Sequence, residues 1–224
     1  MSMHSGRPKP LDKLVDLPLT QLRGPRELGL DTIRAAGGAC RAVEQLGERL
    51  EQRANRLESA HDPACVYARA FAELCRRLAD ALHKEGWSDA EWVALLTLRM
   101  VEHYLRALNE RAAGSPSHGV WQGSFDASDQ RATSVREELV LGLTASLVHD
   151  LPLALGEVGM HAPNGASHLR DYHDINEVWG QGIEDISAAL MRRYAPWLGA
   201  ADQMSEGYAL LLTNQGLRIA RATA

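Results

Sequence analysis

The chain is short of the residues that build disulfide scaffolds, zinc ribbons, sheets and basic nucleic-acid surfaces. Only three cysteines occur, Cys40, Cys65 and Cys75. An odd number without any CxxC spacing argues against both a disulfide framework and a zinc knuckle. Cys65 and Cys75 fall on an apolar helical repeat, where buried, inert thiols are expected. Aromatic residues make up only 5% of the chain, so the core must be filled mainly by Leu, Ala, Val and Ile, which suits closely packed helices. Basic residues do not prevail: 24 Lys and Arg stand against 29 Asp and Glu, interspersed, for a net charge of −5. A phosphate backbone requires a basic footprint, so no nucleic-acid partner is expected.

Long apolar runs are missing as well. The N-terminal stretch MSMHSGRPKPLDKLVDLPLTQLRGP lacks the apolar segment of a signal peptide, and no apolar run approaches the ~18 residues of a membrane span. The expectation is a soluble, cytoplasmic protein without membrane insertion. Alternating β-branched runs bounded by hairpin turns, Gly-rich phosphate loops, G-x-S-x-G elbows and Cys–His signatures are also absent from the sequence.

What remains is helical periodicity. A chain of 224 residues is better read as one core than as two small ones. Residues 1–28, with Pro8, Pro10, Pro18 and Pro25, read as an extended N-terminal arm, and residues 29–224 as a single helical domain. A first helix is expected from about Asp31 to Ser59, with Gly37-Gly38 weakening its start or marking a kink. Asp62-Pro63 restarts the chain as a second helix to about Lys84, and Ser88 or Asp89 caps a third that ends near Gly114. The stretch from Ser115 to Arg131, rich in Gly, Ser and Asp, reads as a long loop pinned by Trp121 and Phe125. Helices over about Thr133–Val158, Ser167–Tyr194 and Met204–Arg221 complete an all-α, irregular bundle of about six helices.

Chemistry-bearing side chains concentrate between Ser146 and Glu177, a stretch holding four of the nine histidines. In the fourth helix His149 and Asp150 interrupt an apolar face of Leu143, Leu147, Leu151, Ala154 and Val158. Pro152 follows, which frees a backbone carbonyl near residue 148 and bends the axis. An imidazole and a carboxylate among leucines must be paired or exposed; the structural alternative is that Asp150 clamps a neighbouring helix end or loop. If the fourth and fifth helices form an antiparallel hairpin, His149 faces Asn176 and Glu157 faces His168. His168, Asp171 and Tyr172 share one face of the fifth helix, continued by Asp174 and Glu177, which could equally be its solvated side.

These residues define a candidate site in an apolar pocket between the third, fourth and fifth helices. His149 would act as general acid or base, Asp150 or Asp171 would orient it, Tyr172 would donate a hydrogen bond, and Asn176 would converge on the same place. A metal-assisted version would use a divalent ion held by His149, Asp150, His168 or Asp171. The expected function is a small-molecule enzyme that cyclises, isomerises or hydrolyses a largely apolar metabolite. The alternatives are a non-catalytic protein that holds an apolar ligand, or an interaction module, such as a homodimer, joined through exposed Trp87, Trp121 or Trp197.

Partial motifs add little. The spacing of His149-Asp150 to Glu157 mimics a magnesium-binding pattern of terpene cyclases, but His149 and Leu153 replace its Asn and Ser. His–Asp adjacency resembles phosphohydrolases of the HD type, in which His103, His168 or Asp171 could complete a ligand set. Glu102 and His103 are adjacent and diverge by about 100°, so they do not form a di-iron Glu-x-x-His pair. His4, His61, His83 and His118 fall in arms, caps and loops and receive no chemistry.

From about Asp62 to residue 220 the chain resembles a bacterial helical family without established activity, the domain of unknown function 5995. The resemblance rests on DPACVYARAFAELCRRLADAL, GWSDAEWVALLTLRMVEHYLRAL, the Trp121 to Phe125 segment, LGLTASLVHDLPLAL and DYHDINEVW. The family pattern in the fourth helix resembles N-A-H-I-N-x-D-L. Here Thr144, Ser146 and Val148 stand at the Asn, His and Asn positions, whereas Asp150 and Leu151 match. Asp171, Tyr172, Ile175 and Asn176 match the second motif. The resemblance implies that Asp150 and Asn176 face each other. The missing family histidine at Ser146 argues against chemistry that needs it, and leaves two alternatives: a member turned to another use, or His149 in the role of the lost imidazole.

Overall fold

Apolar residues spaced three and four apart sort the chain into seven helices in a computed structural model that describes residues 26–198, apart from 85, 118, 131 and 132. Of the N-terminal arm expected over residues 1–28, residues 26–28 instead begin α1, and the rest, with the expected helix Met204–Arg221, lies outside the described residues. The helices are α1 (Arg26–Ala35), α2 (Ala39–Ser59), α3 (Cys65–Leu82), α4 (Ala90–Ala112), α5 (Gly119–Asp129), α6 (Val135–Val158) and α7 (Leu169–Leu198). Among the described residues the extended pairing is a single bridge between His161 and Ser167, so the fold is all-α as expected. The Gly37-Gly38 pair, both at positive φ, separates α1 from α2. The break falls there because only glycine adopts that backbone without strain.

Helix α4 is the axis of the bundle. Every residue from Trp92 to Leu105 is buried, and α4 touches all six other helices or their flanking turns. Asp89 caps it, accepting from the Trp92 N–H at 2.9 Å. Helices α2 and α3 pack side by side, with Gly47 seated against the Ala72 carbonyl and Cys75. The few aromatics are pooled between α3, α4 and α5: Tyr67 and Tyr104 are 5.0 Å apart, and Trp121 lies 5.0 Å from Tyr104 and 5.5 Å from Phe125.

That cluster corrects the expected loop over Ser115–Arg131. Trp121 and Phe125 are one helical turn apart, and burying both rings on one side winds Gly119–Asp129 into α5. Glycines at 119 and 123 lower the local propensity and hid the helix. Burial of Trp121 also removes it from any exposed interface. Trp87 is half-buried with its indole N–H on the Ala81 carbonyl, and the Trp197 side chain lies outside the described residues.

Helix α6 starts with a capping box: the Ser134 hydroxyl accepts from the Glu137 N–H, and Glu137 accepts from the Ser134 N–H. It packs on α3, α4, α5 and α7, and Gly142 sits so close to the Tyr67 ring that a Cβ there would overlap it. By length and composition it could also cross a membrane, its most apolar 18 residues having a mean hydropathy of 1.6. The run was not apparent beforehand, because Gly, Thr, Ser and His interrupt it without lowering its average below that of a span.

Candidate acid–base site

Four polar residues, Arg99, Glu102, His103 and Arg106, form a stripe at i, i+3, i+4 and i+7 along the middle of α4. Such spacing puts all four on one face. Helix α6 runs antiparallel over that face. The His149 ring meets the His103 ring edge-on, with centroids 6.5 Å apart. Further along, Glu157 reaches His103 Nε2 at 3.2 Å and Arg99 Nε at 3.5 Å, and the Trp92 indole N–H donates to the Gly159 carbonyl at 2.7 Å.

The proline expected to bend α6 acts through a π-turn. Residues Ser146–Asp150 form one wide turn, closed by the Leu151 N–H on the Ser146 carbonyl. Pro152 has no N–H for the Val148 carbonyl, and its ring would clash with that carbonyl in a regular α-helix. The extra residue in the turn relieves the clash and rotates His149 and Asp150 towards α4 and α5.

Asp150 is fully buried. Its Oδ1 accepts from the Trp121 indole N–H at 2.9 Å and lies 2.9 Å from His149 Nδ1. The Ser146 hydroxyl, one turn back, also acts on this carboxyl as a hydrogen-bond donor. Burial pushes its carboxyl up to about 6, against the opposing pull of Trp121 and His149. Across the interface, burial pushes the His103 imidazole below its ordinary range, although Glu157 works the other way. Its neighbour Glu102 accepts from Arg99 at 2.8 Å and is raised, again by burial.

The result is two histidine–carboxylate pairs, His149–Asp150 and His103–Glu157, set side by side at the surface end of a buried polar seam. The His149 side chain is 16% exposed and that of Glu157 44%. The outer face of α6 beside them is apolar, with Val148 61% and Leu153 43% exposed. A neutral imidazole, a carboxyl titrating near neutrality and an apolar rim are the parts from which general acid–base chemistry is built.

The other sequence candidates belong elsewhere. Asp171 is fully buried, but its two oxygens accept the backbone N–H groups of Ser88 and Asp89 at 2.7 and 2.8 Å, tying α7 to the start of α4. The clamp role considered for Asp150 is filled by Asp171. His168 stacks on Trp92 with centroids 4.6 Å apart. Tyr172 is buried beside it on α7, and Asn176 donates to the Tyr172 carbonyl at 2.8 Å. Residue 89, the cap of α4, and residue 103 are separated by roughly 20 Å at 1.5 Å per residue, so Asp171 sits at the start of α4, away from His149. The expected pairing of Glu157 with His168 is replaced by its contacts with His103 and Arg99.

Sequence reasoning left out Arg99, Trp121 and the pairing of His103 with Glu157. The usable signal was the Arg99, Glu102, His103, Arg106 stripe, because a charged face along the buried middle of a helix calls for a polar partner. Separately, a groove of about 870 Å³ runs between α2, α3 and α7, with Glu44, Arg69, Arg77 and Arg193 at its rim and Ala72, Ile186 and Leu190 on its floor. His149, Asp150, Asp171, Tyr172 and Asn176 are not among its lining residues.

Fold and seam together define an all-α protein with a π-turn and paired His–carboxylate groups between two antiparallel helices. The chain belongs to the family of unknown function DUF5995, whose model matches residues 43–224. That match begins earlier than the resemblance at Asp62 and takes in α2. No curated protein and no solved structure matches the chain.

Proposed function

We propose that the chain is a small-molecule enzyme whose acid–base groups are the His149–Asp150 and His103–Glu157 pairs. The observation that carries this reading is the meeting of two histidines, each with its own carboxylate, beside a π-turn that carries a fully buried aspartate. In this reading the enclosed His103, kept neutral by burial, receives the substrate proton through Glu157, its exposed partner at 3.2 Å. His149, backed by Asp150, returns one to the neighbouring atom or to a leaving group. Trp121 holds Asp150 in place through its indole N–H. The apolar rim of Val148 and Leu153 favours a largely apolar metabolite, and isomerisation, cyclisation or hydrolysis is each compatible with this pair of groups.

The test is depletion of a metabolite. Incubated with a small-molecule extract, the wild-type protein should convert at least one apolar species, followed by mass spectrometry. His149→Ala and His103→Ala should each slow that conversion by about 10²-fold or more, as expected for removal of a general acid or base. Capture of a species that returns chemically unchanged would identify a binding protein instead. Turnover that neither substitution alters would remove this site from the reaction.

A further inference from the structure

From the sequence, His83 receives no chemistry, and of the cysteines only Cys65 and Cys75 are expected to be buried and inert. In the folded chain Cys40 and Glu44, one turn apart at the start of α2, meet His83 at the C-terminal cap of α3. Cys40 Sγ lies 3.0 Å from His83 Nε2 and 3.9 Å from Glu44 Oε1, and the last two atoms are 3.5 Å apart. Among the described residues this is the one place where three such ligand atoms converge. The residues expected to hold a metal, His149, Asp150, His168 and Asp171, do not.

We propose that Cys40, Glu44 and His83 form a binding site for a borderline-soft divalent cation, of which zinc is the best match. The distances support this reading. Zinc bonds of about 2.3 Å to sulfur and about 2.0–2.1 Å to nitrogen or oxygen, at tetrahedral angles, separate the ligand atoms by about 3.5 Å. The observed triangle averages close to that, so small side-chain rotations complete it. A thiolate, an imidazole and a carboxylate suit zinc, whereas magnesium or calcium would call for an all-oxygen set.

The surroundings are arranged for the same purpose. Arg41 holds the other Glu44 oxygen, Oε2, at 2.5 Å, which turns Oε1 towards Cys40 and His83 in the way that an outer-shell partner orients a ligand. His83 is 64% exposed, so the fourth position opens to water and can be reached from solvent. Binding displaces the Cys40 thiol proton, so affinity should rise with pH. The site would fasten the start of α2, just beyond the Gly37-Gly38 break, to the end of α3.

Untagged full-length protein, stripped with chelator and titrated with Co²⁺, tests this directly. One equivalent should bind, with a thiolate-to-cobalt charge-transfer band and the intense visible bands of tetrahedral coordination, and Zn²⁺ should displace it stoichiometrically. Cys40→Ser should abolish the charge-transfer band. His83→Ala should weaken binding by more than about 100-fold, beyond the loss expected from an outer-shell contact. His83 is exposed, so its replacement leaves the fold intact, which circular dichroism verifies. Cobalt bound without a thiolate band, or with the same affinity in Cys40→Ser and His83→Ala, would overturn the assignment, as would no binding at all.

Discussion

At the scale of single residues, the two carboxylates that sequence reasoning grouped together, Asp150 and Asp171, do different work. Burial raises the Asp150 carboxyl to about 6. A raised carboxyl holds its proton more tightly in the folded chain than in the unfolded one. Its contribution to stability is therefore full below about pH 4 and is lost as pH rises to about 6. At roughly 1.4 kcal/mol per unit, the loss is on the order of 3 kcal/mol. Asp150→Asn stays neutral and can still accept from Trp121, so it escapes that loss. Relative to wild type, its unfolding free energy in urea should gain on the order of 3 kcal/mol between about pH 4 and pH 7; a constant difference would place the raised group elsewhere. Asp171→Ala, by contrast, strips two backbone N–H groups of their acceptor and should cost about 2–3 kcal/mol. It should leave the NMR titrations of His103 and His149 unmoved, and displaced imidazole signals would contradict the separation of the two places. His149 and Asp150 were legible as a polar break in an apolar face. Their partners were not, because which helix lies opposite α6 is set by packing of whole faces and not by chain order.

At the scale of elements, the informative crossing is that of α6 over α3, where Gly142 lies against the Tyr67 ring. Gly142→Ala must push that ring or separate the helices, and overpacking of this kind costs about 1–3 kcal/mol. Gly156, later in α6, faces open space. Gly156→Ala should therefore stabilise by about 0.5–1 kcal/mol through helix propensity alone. Urea denaturation of the two variants should give opposite signs; a shared sign would mean that propensity, not the close crossing, governs position 142. Helix existence was readable wherever an apolar face repeated over several turns, as in α2, α3 and α4. It was unreadable in α5, where a single Trp–Phe turn buried by tertiary contacts outweighs two glycines. The π-turn shows the same limit: Pro152 announces a disturbance in α6, but whether the helix kinks or widens depends on what His149 and Asp150 find on the other side.

At the scale of the whole molecule, the open question is where α6 belongs, in the bundle or in a bilayer. Its most apolar 18 residues, within Val135–Val158, have a mean hydropathy of 1.6, which meets the requirement of a span. Its buried side, however, carries Glu138, bonded to the Ser128 and Thr133 hydroxyls, and Asp150, bonded to Trp121. All of these partners come from α5 and the turn before α6. A helix inserted alone would give them up and place Asp150 near the bilayer centre, at about 2.5–3.5 kcal/mol for that residue. Residence in the bundle keeps every one of those bonds and exposes a face on which Val148 and Leu153 alternate with Thr144, Pro152, Gly156 and Glu157. The full chain should thus be recovered without detergent in the supernatant of a high-speed spin, and Val148→Glu should change neither that partition nor the helical circular dichroism. Recovery in the membrane pellet, resistant to alkaline carbonate, would reverse the assignment. It would also change the site, since the rim proposed to receive an apolar metabolite would then face lipid, and substrate would reach His149 from within the bilayer.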